Sequence, residues 1–157
     1  MKIKLIAIGK TDEAFLTEGI EKYLKRLKHY HPVEFIIIPD IKGGGKFTAD
    51  KLKEAEGKLI LQKIQDGDHL ILLDENGKSF TSQEFANFMQ KKLNAVTTNL
   101  VFVIGGAFGF SPESYERSNE KIALSKMTFS HQMVRLFFVE QIYRGFTILR
   151  GEKYHHD

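Results

Sequence analysis

The sequence predicts an α/β fold, in which a mostly parallel sheet of five to six strands lies between helices. Apolar runs alternate with helix-like stretches along the chain without a break, and this order is typical of a parallel sheet wrapped by helices. The chain has 157 residues, and a single core serves roughly 100 to 200 residues. Hydrophobic residues make up 42% of the chain, which is enough to fill that core. We therefore expect a single domain over residues 1–157.

Five apolar runs are expected to form the strands. Their Ile, Leu and Val content is nearly continuous, as it is in strands that are buried on both faces. In chain order these runs are residues 2–9, 33–39, 69–74, 99–105 and 121–125.

Four helices are expected to follow these strands, each opened by a capping residue. The pair Thr81 and Glu84 has the spacing of a capping box. Proline at 112 lies in a first turn, where its missing N–H costs nothing. The expected starts are Thr11 or Asp12, then Thr48, then Thr81, and then the Ser-Pro-Glu sequence at residues 111–113.

A further, apolar helix is expected over residues 131–148. Its apolar side chains fall on nearly every side of a helical wheel, so it cannot lie on the surface of a small monomer. A sheet on one side and a second copy of the chain on the other would bury it, and we therefore predict a homodimer. Its charged residues need partners or a function. His131 and Arg135 share one face, whereas Glu140 and Arg144 form an i,i+4 pair near the opposite face.

Composition narrows the classes of function. Cys is absent, which excludes disulfide scaffolds, Cys-ligated metal centres and thiolate catalysis. No secretory leader follows Met1, and the longest uncharged apolar stretch, residues 100–110, covers only half a membrane span. We expect a cytoplasmic protein with no membrane segment and no metal site. The net charge of +3 permits a polyanionic partner without requiring one.

Two loops that follow predicted strands have the composition of ligand-binding turns. Residues 105–109, Gly-Gly-Ala-Phe-Gly, allow the backbone to approach a ligand at a strand end, although a plain turn is an equal alternative. Residues 124–129, Leu-Ser-Lys-Met-Thr-Phe, offer N–H groups, hydroxyls and soft apolar side chains that suit an adenine and a thioether. Met127 and Phe129 also fit a core. The Gly-Gly-Gly run at 43–45 is expected to be a mobile loop, because it lacks the order of a phosphate-binding loop.

Two strings in the carboxyl half carry a family resemblance: VFVIGGAFG at 101–109 and IALSKMTFSHQMVRLFFVEQIYRGFTILRGEKYH at 122–155. With them the carboxyl half closely resembles the RlmH family, the bacterial pseudouridine N3-methyltransferases of large-subunit ribosomal RNA, which belong to the SPOUT or α/β-knot class. The KIKLIAIGK opening, the YLKRLKHY helix and the IIIPD strand end extend it along the whole chain. Two departures are Ser130, where relatives commonly have Pro, and the final His156-Asp157, which extends the usual Tyr-His ending.

The resemblance implies one SPOUT methyltransferase domain that forms a homodimer, with a carboxyl-terminal trefoil knot that holds S-adenosylmethionine. It also implies which residues contact this cofactor, at the end of the third strand, in the glycine turn and in the loop after the fifth strand. These residues are Leu73, Gly105, Leu124, Ser125, Lys126, Met127, Thr128 and Phe129.

The substrate implied by the resemblance is N3 of a pseudouridine in 23S rRNA within the assembled ribosome. Because N3 carries a proton, the reaction needs a base to remove it and a cation to stabilise the anion. Arg144 is a candidate for the cation, and Glu140 is a candidate for the residue that positions it. A structural ion pair at a dimer interface is an alternative explanation for both residues. His131, Tyr154 and His155 are candidates for proton removal or base positioning, and the choice among them is open.

Basic residues of the first predicted helix, together with the loop at 42–46, are candidates for contacts with RNA phosphates. A helix face exposed to solvent is the alternative explanation for the basic residues. The helix residues are Lys22, Lys25, Arg26, Lys28 and His29.

Two other functions compete with the methyltransferase. Asp12, Glu13, Asp74 and Lys126 occupy positions like those of a phospho-receiver domain, but the fourth strand ends at Gly105 and not at a hydroxyl residue. A non-catalytic RNA-binding or ribosome-binding module is the second alternative. It predicts RNA association that is indifferent to S-adenosylmethionine.

Overall fold

The computed structural model describes residues 1–156, and the predicted α/β class is confirmed. Within these residues the elements are β1 Lys2–Ile8, α1 Ala14–Leu27, β2 Val33–Ile38, α2 Ala49–Gln62, β3 His69–Ser79, α3 Ser82–Ala95, β4 Asn99–Ile104, α4 Pro112–Arg117, β5 Glu120–Ala123 and α5 Met133–Leu149. The strands of the described chain form one sheet in the order β2-β1-β4-β3-β5. Every pair is parallel, where the sequence predicted a mostly parallel sheet.

Helices cover both faces of the sheet because the strands present apolar side chains alternately to each side. In β1, Leu5 and Ala7 join the cluster with α1, α3 and α5, whereas Ile6 and Ile8 join the cluster beneath α2. The sheet is therefore the middle layer of three.

Three of the predicted helix starts are confirmed. Thr48 accepts a hydrogen bond from the Lys51 backbone N–H at 3.2 Å, and Thr81 and Glu84 form the predicted capping box. Ser111 caps α4, and Pro112 lies in its first turn.

The predicted start of the first helix at Thr11 or Asp12 is wrong, because α1 begins at Ala14 after an extended Glu13. The cause is long-range. The Thr11 hydroxyl accepts a hydrogen bond from Arg135 at 3.1 Å, and the Asp12 backbone N–H donates to the Gln132 side chain at 2.9 Å. Both residues are therefore occupied with the start of α5.

β3 is longer than predicted and contains an irregularity at its carboxyl end. Leu73 pairs with Ile122 of β5, and after residues 74–77 the chain pairs with Ile122 again through Lys78. A side chain at Gly77 would meet the Ile122 backbone at 2.6 Å. Residues 74–77 are thus a short excursion held at both ends by the same strand. β5 itself ends at Ala123.

The segment between β5 and α5 crosses the carboxyl ends of two other strands. β5 lies at the edge of the sheet, beyond β3 and β4. The start of α5 is nevertheless tied to the end of β1, where the Gln132 side chain donates to the Lys10 carbonyl at 3.2 Å. The trefoil knot implied by the family resemblance stays a prediction for this segment.

One further helix boundary needs correction. The helix predicted from residue 131 begins at Met133. Only its inner side is fully buried, and Phe137 is 40% exposed in the single chain. The glycine run at 43–45, whose mobility stays a prediction, overlaps one turn of 3₁₀-helix at Gly44–Lys46, preceded by Gly43 at φ 71°.

Among residues 1–156, we find no helix with the length and apolar character needed to span a bilayer.

Candidate active site

A cleft of about 490 Å³ lies at the carboxyl ends of β3, β4 and β5. This is within the range of roughly 300 to 1,000 Å³ that is usual for small-molecule pockets. Its walls come from the excursion after β3, the glycine turn after β4 and the loop after β5. The residues predicted for the cofactor that line it are Leu73, Gly105, Leu124, Ser125, Met127, Thr128 and Phe129.

The glycine turn presents backbone to the cleft because side chains do not fit there. A Cβ on Gly105 would lie 3.2 Å from the Phe110 ring. A Cβ on Gly106 would lie 2.7 Å from both carboxyl oxygens of Glu56. The Gly109 N–H donates to the Gly106 carbonyl at 3.2 Å, and Gly109 adopts φ 84°, a conformation that favours glycine.

The opposite wall is the loop between β5 and α5. Ser125 accepts a hydrogen bond from the Met127 N–H at 3.1 Å, and Ser130 accepts one from the Met133 N–H at 3.0 Å. Ser130 therefore helps to start α5. Met127 is 74% exposed, and Lys126, also predicted as a cofactor contact, is exposed and does not line the cleft.

The rim of the cleft contains an acidic residue to which sequence reasoning gave no cofactor role. Asp74 accepts hydrogen bonds from the Tyr115 hydroxyl and, at 2.8 Å, from the Asn76 N–H. Burial, followed by the hydrogen bond to Asp74, raises the pKa of Tyr115 to about 12. Tyr115 is therefore a hydrogen-bond donor at neutral pH. The rim depends on the irregular pairing of β3. The alternation of apolar residues along the sequence therefore does not predict this rim.

His131, at the end of the same loop, lines the cleft, but the other predicted catalytic residues do not. Arg144 donates to Glu140 Oε1 from Nε at 3.1 Å and from Nη2 at 2.6 Å. The predicted i,i+4 pair is thus confirmed as an ion pair in which two guanidinium N–H groups donate to one carboxylate oxygen. Partial burial lowers the pKa of Arg144, but the hydrogen bonds and charge of Glu140 outweigh it and raise the pKa above its ordinary value.

The carboxyl-terminal tail folds back onto this ion pair. The Tyr154 hydroxyl donates to Glu140 Oε1 at 2.9 Å and lies 3.3 Å from the Tyr23 hydroxyl. Arg144 Nη1 lies 3.0 Å from His155 Nδ1. Because a guanidinium only donates, Nδ1 accepts and the proton of the neutral imidazole lies on Nε2. Burial and then the hydrogen bonds with Tyr23 and Glu140 raise the pKa of Tyr154.

The tail is anchored to the end of α1 by a second set of contacts. The Tyr30 hydroxyl donates to Glu152 Oε2 at 2.6 Å. The Arg150 guanidinium lies 4.3 Å from the centre of the Tyr30 ring and donates to the His29 carbonyl at 3.3 Å. We name Tyr30, Glu152 and Arg150 the tail anchor. Sequence reasoning missed the tail anchor because Tyr30 lies more than a hundred positions from the other two residues.

Within one chain, the predicted catalytic residues therefore form two separate groups. Val134, near the start of α5, lines the cleft, and Arg144 lies ten residues further along the same helix. At 1.5 Å per residue this is about 15 Å along the axis. His131 belongs to the cleft, whereas Glu140, Arg144, Tyr154 and His155 form a cluster that we name the tail cluster.

Arg135, the charged residue left without a role by sequence reasoning, has a structural one. Its side chain is fully buried. It donates to the carbonyl oxygens of Ile8 at 2.6 Å, Gly9 at 2.7 Å and His131 at 3.0 Å. It therefore fastens α5 to the end of β1.

Over the described residues 1–156, no group of three or more His, Asp or Glu side chains is arranged to hold a metal ion.

Comparisons with known proteins show to which family the chain belongs. A protein-family model described as predicted SPOUT methyltransferase matches residues 1–155. A curated relative from Cytophaga hutchinsonii, named ribosomal RNA large subunit methyltransferase H, is 58% identical over 156 residues, which are 99% of this chain and 100% of the relative. The chain is a member of the RlmH family of SPOUT methyltransferases. A relative of the same name from Parabacteroides distasonis is 55% identical over 157 residues, covering 100% of both chains.

The fold agrees with this membership in the SPOUT class. The crystal structure titled as a probable methyltransferase from Bordetella pertussis Tohama I has a TM-score of 0.54 at 10% identity, and the match covers 92% of this chain and 94% of that one. As an RlmH family member, the protein is an enzyme that transfers methyl groups. Family membership favours the methyltransferase over the phospho-receiver and over the non-catalytic RNA-binding module.

Proposed function

We propose that the protein binds S-adenosylmethionine in the cleft and methylates N3 of a pseudouridine in 23S rRNA of the assembled ribosome. One observation carries the proposal: the segments that the family resemblance assigns to the cofactor meet in a single cleft of suitable volume. The relatives named as large-subunit rRNA methyltransferases support the choice of RNA.

The residues of the cleft fit this cofactor. At Gly105 and Gly106 the position of a Cβ is already taken by Phe110 and Glu56, so these residues offer only their backbone to the polar edges of an adenine. Met127 and Phe129 are soft apolar groups for the adenine ring and for the methionine part of the cofactor. Lys126, the remaining predicted contact, belongs to the same loop but does not line the cleft. When bound, S-adenosylmethionine supplies a methyl group on a sulfonium, whose S–C bond breaks as the N3 nitrogen attacks.

The tail cluster has the chemistry needed to stabilise the pseudouridine anion. Glu140 holds the Arg144 guanidinium in one orientation through two hydrogen bonds, and the raised pKa of Arg144 keeps it charged. A fixed cation beside the imide lowers the cost of removing the N3 proton. Glu140 is then a positioning residue for Arg144.

The structure narrows the choice of base. The raised pKa of Tyr154 keeps its phenol protonated at neutral pH, which favours a positioning role over proton removal. The Nδ1 atom of His155 already accepts a hydrogen bond from Arg144. His131 is the candidate that lines the cleft, and we propose it for the transfer of the N3 proton.

A homodimer would bring the two groups of predicted catalytic residues together at one cleft. Because the tail cluster lies along α5 from the cleft of its own chain, we propose that the partner subunit supplies its tail cluster to this cleft. Apolar surface beside the cleft supports such a contact. Phe137 is 40% exposed and packs against Phe129 with ring centres 5.3 Å apart, so a second copy would cover both rings.

The basic side of α1 is the proposed contact with rRNA phosphates, together with residues 42–46. The Lys22 Nζ atom and the Arg26 Cζ atom each lie 5.6 Å from the centre of the Tyr23 ring. Tyr23 in turn contacts Tyr154, so this side of α1 leads directly to the tail cluster. The remaining candidates are Lys25, Lys28 and His29. A ribosomal substrate implies a cytoplasmic location.

The test is methyl transfer from labelled S-adenosylmethionine to three forms of unmodified 23S rRNA: free RNA, isolated large subunits and assembled ribosomes. We expect label at one pseudouridine, mainly with assembled ribosomes, and N3-methylpseudouridine after nuclease digestion and mass spectrometry. RNA binding without label, unaffected by S-adenosylmethionine, would support the non-catalytic module. Label transferred mainly to free RNA would contradict the proposed substrate.

A further inference from the structure

Glu56 of α2 is a buried acid that the proposed mechanism does not use. Its side chain is 6% exposed. Among the buried side-chain nitrogen and oxygen atoms of the described residues, Glu56 Oε1 is the one without a hydrogen-bond partner. A buried polar atom without a partner costs roughly 1 to 3 kcal/mol. A native structure that keeps such an atom needs a reason for it.

The place of Glu56 suggests the reason. Its carboxyl lies directly beneath the glycine turn, because a Cβ on Gly106 would be 2.7 Å from both of its oxygens. Gly106 also lines the cleft. Any movement of this carboxyl therefore displaces one wall of the proposed cofactor site.

We propose that Glu56 is a positioning residue for S-adenosylmethionine: its neutral carboxyl supports the glycine turn at Gly106, and ionisation of that carboxyl weakens cofactor binding. This inference rests on the proposed function, since it assumes that the cleft is the cofactor site.

The surroundings of Glu56 favour the neutral form. Burial raises the pKa of Glu56, and the Asp40 carboxylate at the end of β2 raises it further. Asp40 lies against Gly9 and also faces the buried Arg135, which Asp12 faces as well. No donor of these elements forms a hydrogen bond with Glu56 Oε1 in residues 1–156.

Ionisation therefore has a structural consequence at the turn. Burying a neutral carboxyl costs less than burying a carboxylate whose Oε1 has no donor, so the ionised side chain is expected to gain water or to move outward. Either response is expected to loosen the contact with Gly106. The affinity for the cofactor is therefore expected to fall as pH rises through the raised pKa of Glu56.

Calorimetric titration with S-adenosylmethionine between about pH 5 and pH 8.5 tests this, with the wild-type chain, Glu56→Gln and Glu54→Gln. Glutamine keeps the shape of a neutral carboxyl, so we expect Glu56→Gln to bind about fivefold more tightly than wild type at the alkaline end. At the acidic end we expect equal affinity. Glu54, exposed on the same helix, is the matched control and should reproduce the wild-type profile. Identical pH profiles for wild type and Glu56→Gln overturn the proposal.

A second measurement uses the wild-type chain and does not depend on folding of the variant. Binding and protonation are reciprocal, so a cofactor that prefers the neutral carboxyl must raise its pKa in the complex. The Glu56 carboxyl carbon, observed by NMR in a ¹³C-labelled sample, should titrate at higher pH with saturating S-adenosylmethionine than without it. An unchanged titration overturns the proposal. Absence of cofactor binding at every pH overturns the proposed function itself, and this proposal with it.

Discussion

The Arg135 guanidinium lies buried against the last residue of β1, with Nη2 2.6 Å from the carbonyl oxygen of Ile8. Burial lowers the pKa of Arg135, and the charges of Asp12 and Asp40 offset part of this shift. The contact joins the first strand of the chain to its last helix, across the ends of the strands that form the cleft. It therefore couples the stability of the whole fold to the position of the cleft loop.

Replacing Arg135 with Met is expected to destabilise the protein by about 3 kcal/mol. Methionine fills much of the same volume, but the Ile8 and Gly9 carbonyls lose their buried donor. Urea unfolding followed by circular dichroism measures the change. Lys91→Met is the control, because Lys91 is exposed and its replacement also removes one positive charge. Equal stability of the Arg135 variant and wild type would show that the carbonyls find other donors.

Substitution of Gly105 with Val is expected to weaken S-adenosylmethionine binding at least about tenfold. A Cβ there already lies 3.2 Å from the Phe110 ring and 3.4 Å from the Gly109 carbonyl, so branching at Cβ must distort the turn. Calorimetry measures the affinity. Gly45→Val is the matched control, since nothing lies within 4 Å of its Cβ position. Retained binding by the Gly105 variant would exclude this turn from the cofactor site.

Arg144→Ala is expected to reduce kcat by about a hundredfold and to leave cofactor affinity within about twofold of wild type. The reason is that Arg144 is proposed to stabilise the substrate anion and does not line the cleft of its own chain. Single-turnover methylation of ribosomes and calorimetry separate the two effects. Glu140→Gln should lower kcat less, because it frees the guanidinium without removing its charge. A parallel loss of cofactor affinity would place Arg144 in the cofactor site or in folding.

Tyr30→Phe is expected to loosen the tail. The substitution keeps the ring beneath Arg150 and removes only the hydrogen bond to Glu152, which is worth about 1 to 3 kcal/mol with a charged acceptor. Hydrogen exchange at residues 150–156 should accelerate about tenfold, with a smaller loss of methylation. Tyr115→Phe is the control, since its hydroxyl contacts the cleft rim and not the tail. Unchanged exchange in the tail would show that other contacts hold it.

The contacts of Glu120 with Lys92 and His69 predict part of the loss of folding stability in acid. Partial burial raises the pKa of Glu120, but hydrogen bonds from Lys92 at 2.5 Å and His69 at 2.6 Å outweigh this, and the net pKa is lowered. A lowered folded pKa contributes stability that is present above the unfolded value of 4.5. This stability is lost as pH falls through the folded value. Glu120→Gln should therefore be less stable than wild type at pH 7, and the difference should shrink towards pH 3. A pH-independent difference would contradict this linkage.

Local features of the sequence were enough to predict most of the fold. Apolar runs and capping residues such as Thr48 and Thr81 act over a few positions, and the structure confirms them. The start of α1 could not be predicted, because Thr11 is bound by Arg135 of α5 and the Asp12 backbone by Gln132 just before that helix, both more than a hundred positions away. Local propensity therefore failed where a long-range contact competes for the capping group.

The candidate site was predictable in its parts but not in its assembly. Both loops of the cleft were recognised from composition and family resemblance. The spacing along the predicted helix already separates His131 from Arg144, but it does not show which chain's cleft Arg144 reaches. Glu56 carried no sequence signal either, because an acid in an amphipathic helix is expected to face solvent.

The double pairing of Ile122 with Leu73 and Lys78 limits how the proposed methyl-donor site is able to evolve. Residues 74–77 are pinned on both sides, and Gly77 has β5 backbone against it. Glu75 and Asn76, by contrast, are exposed at the tip of the segment. Diversification, natural or engineered, is therefore expected at the tip, while both pairings and the glycine have to be kept.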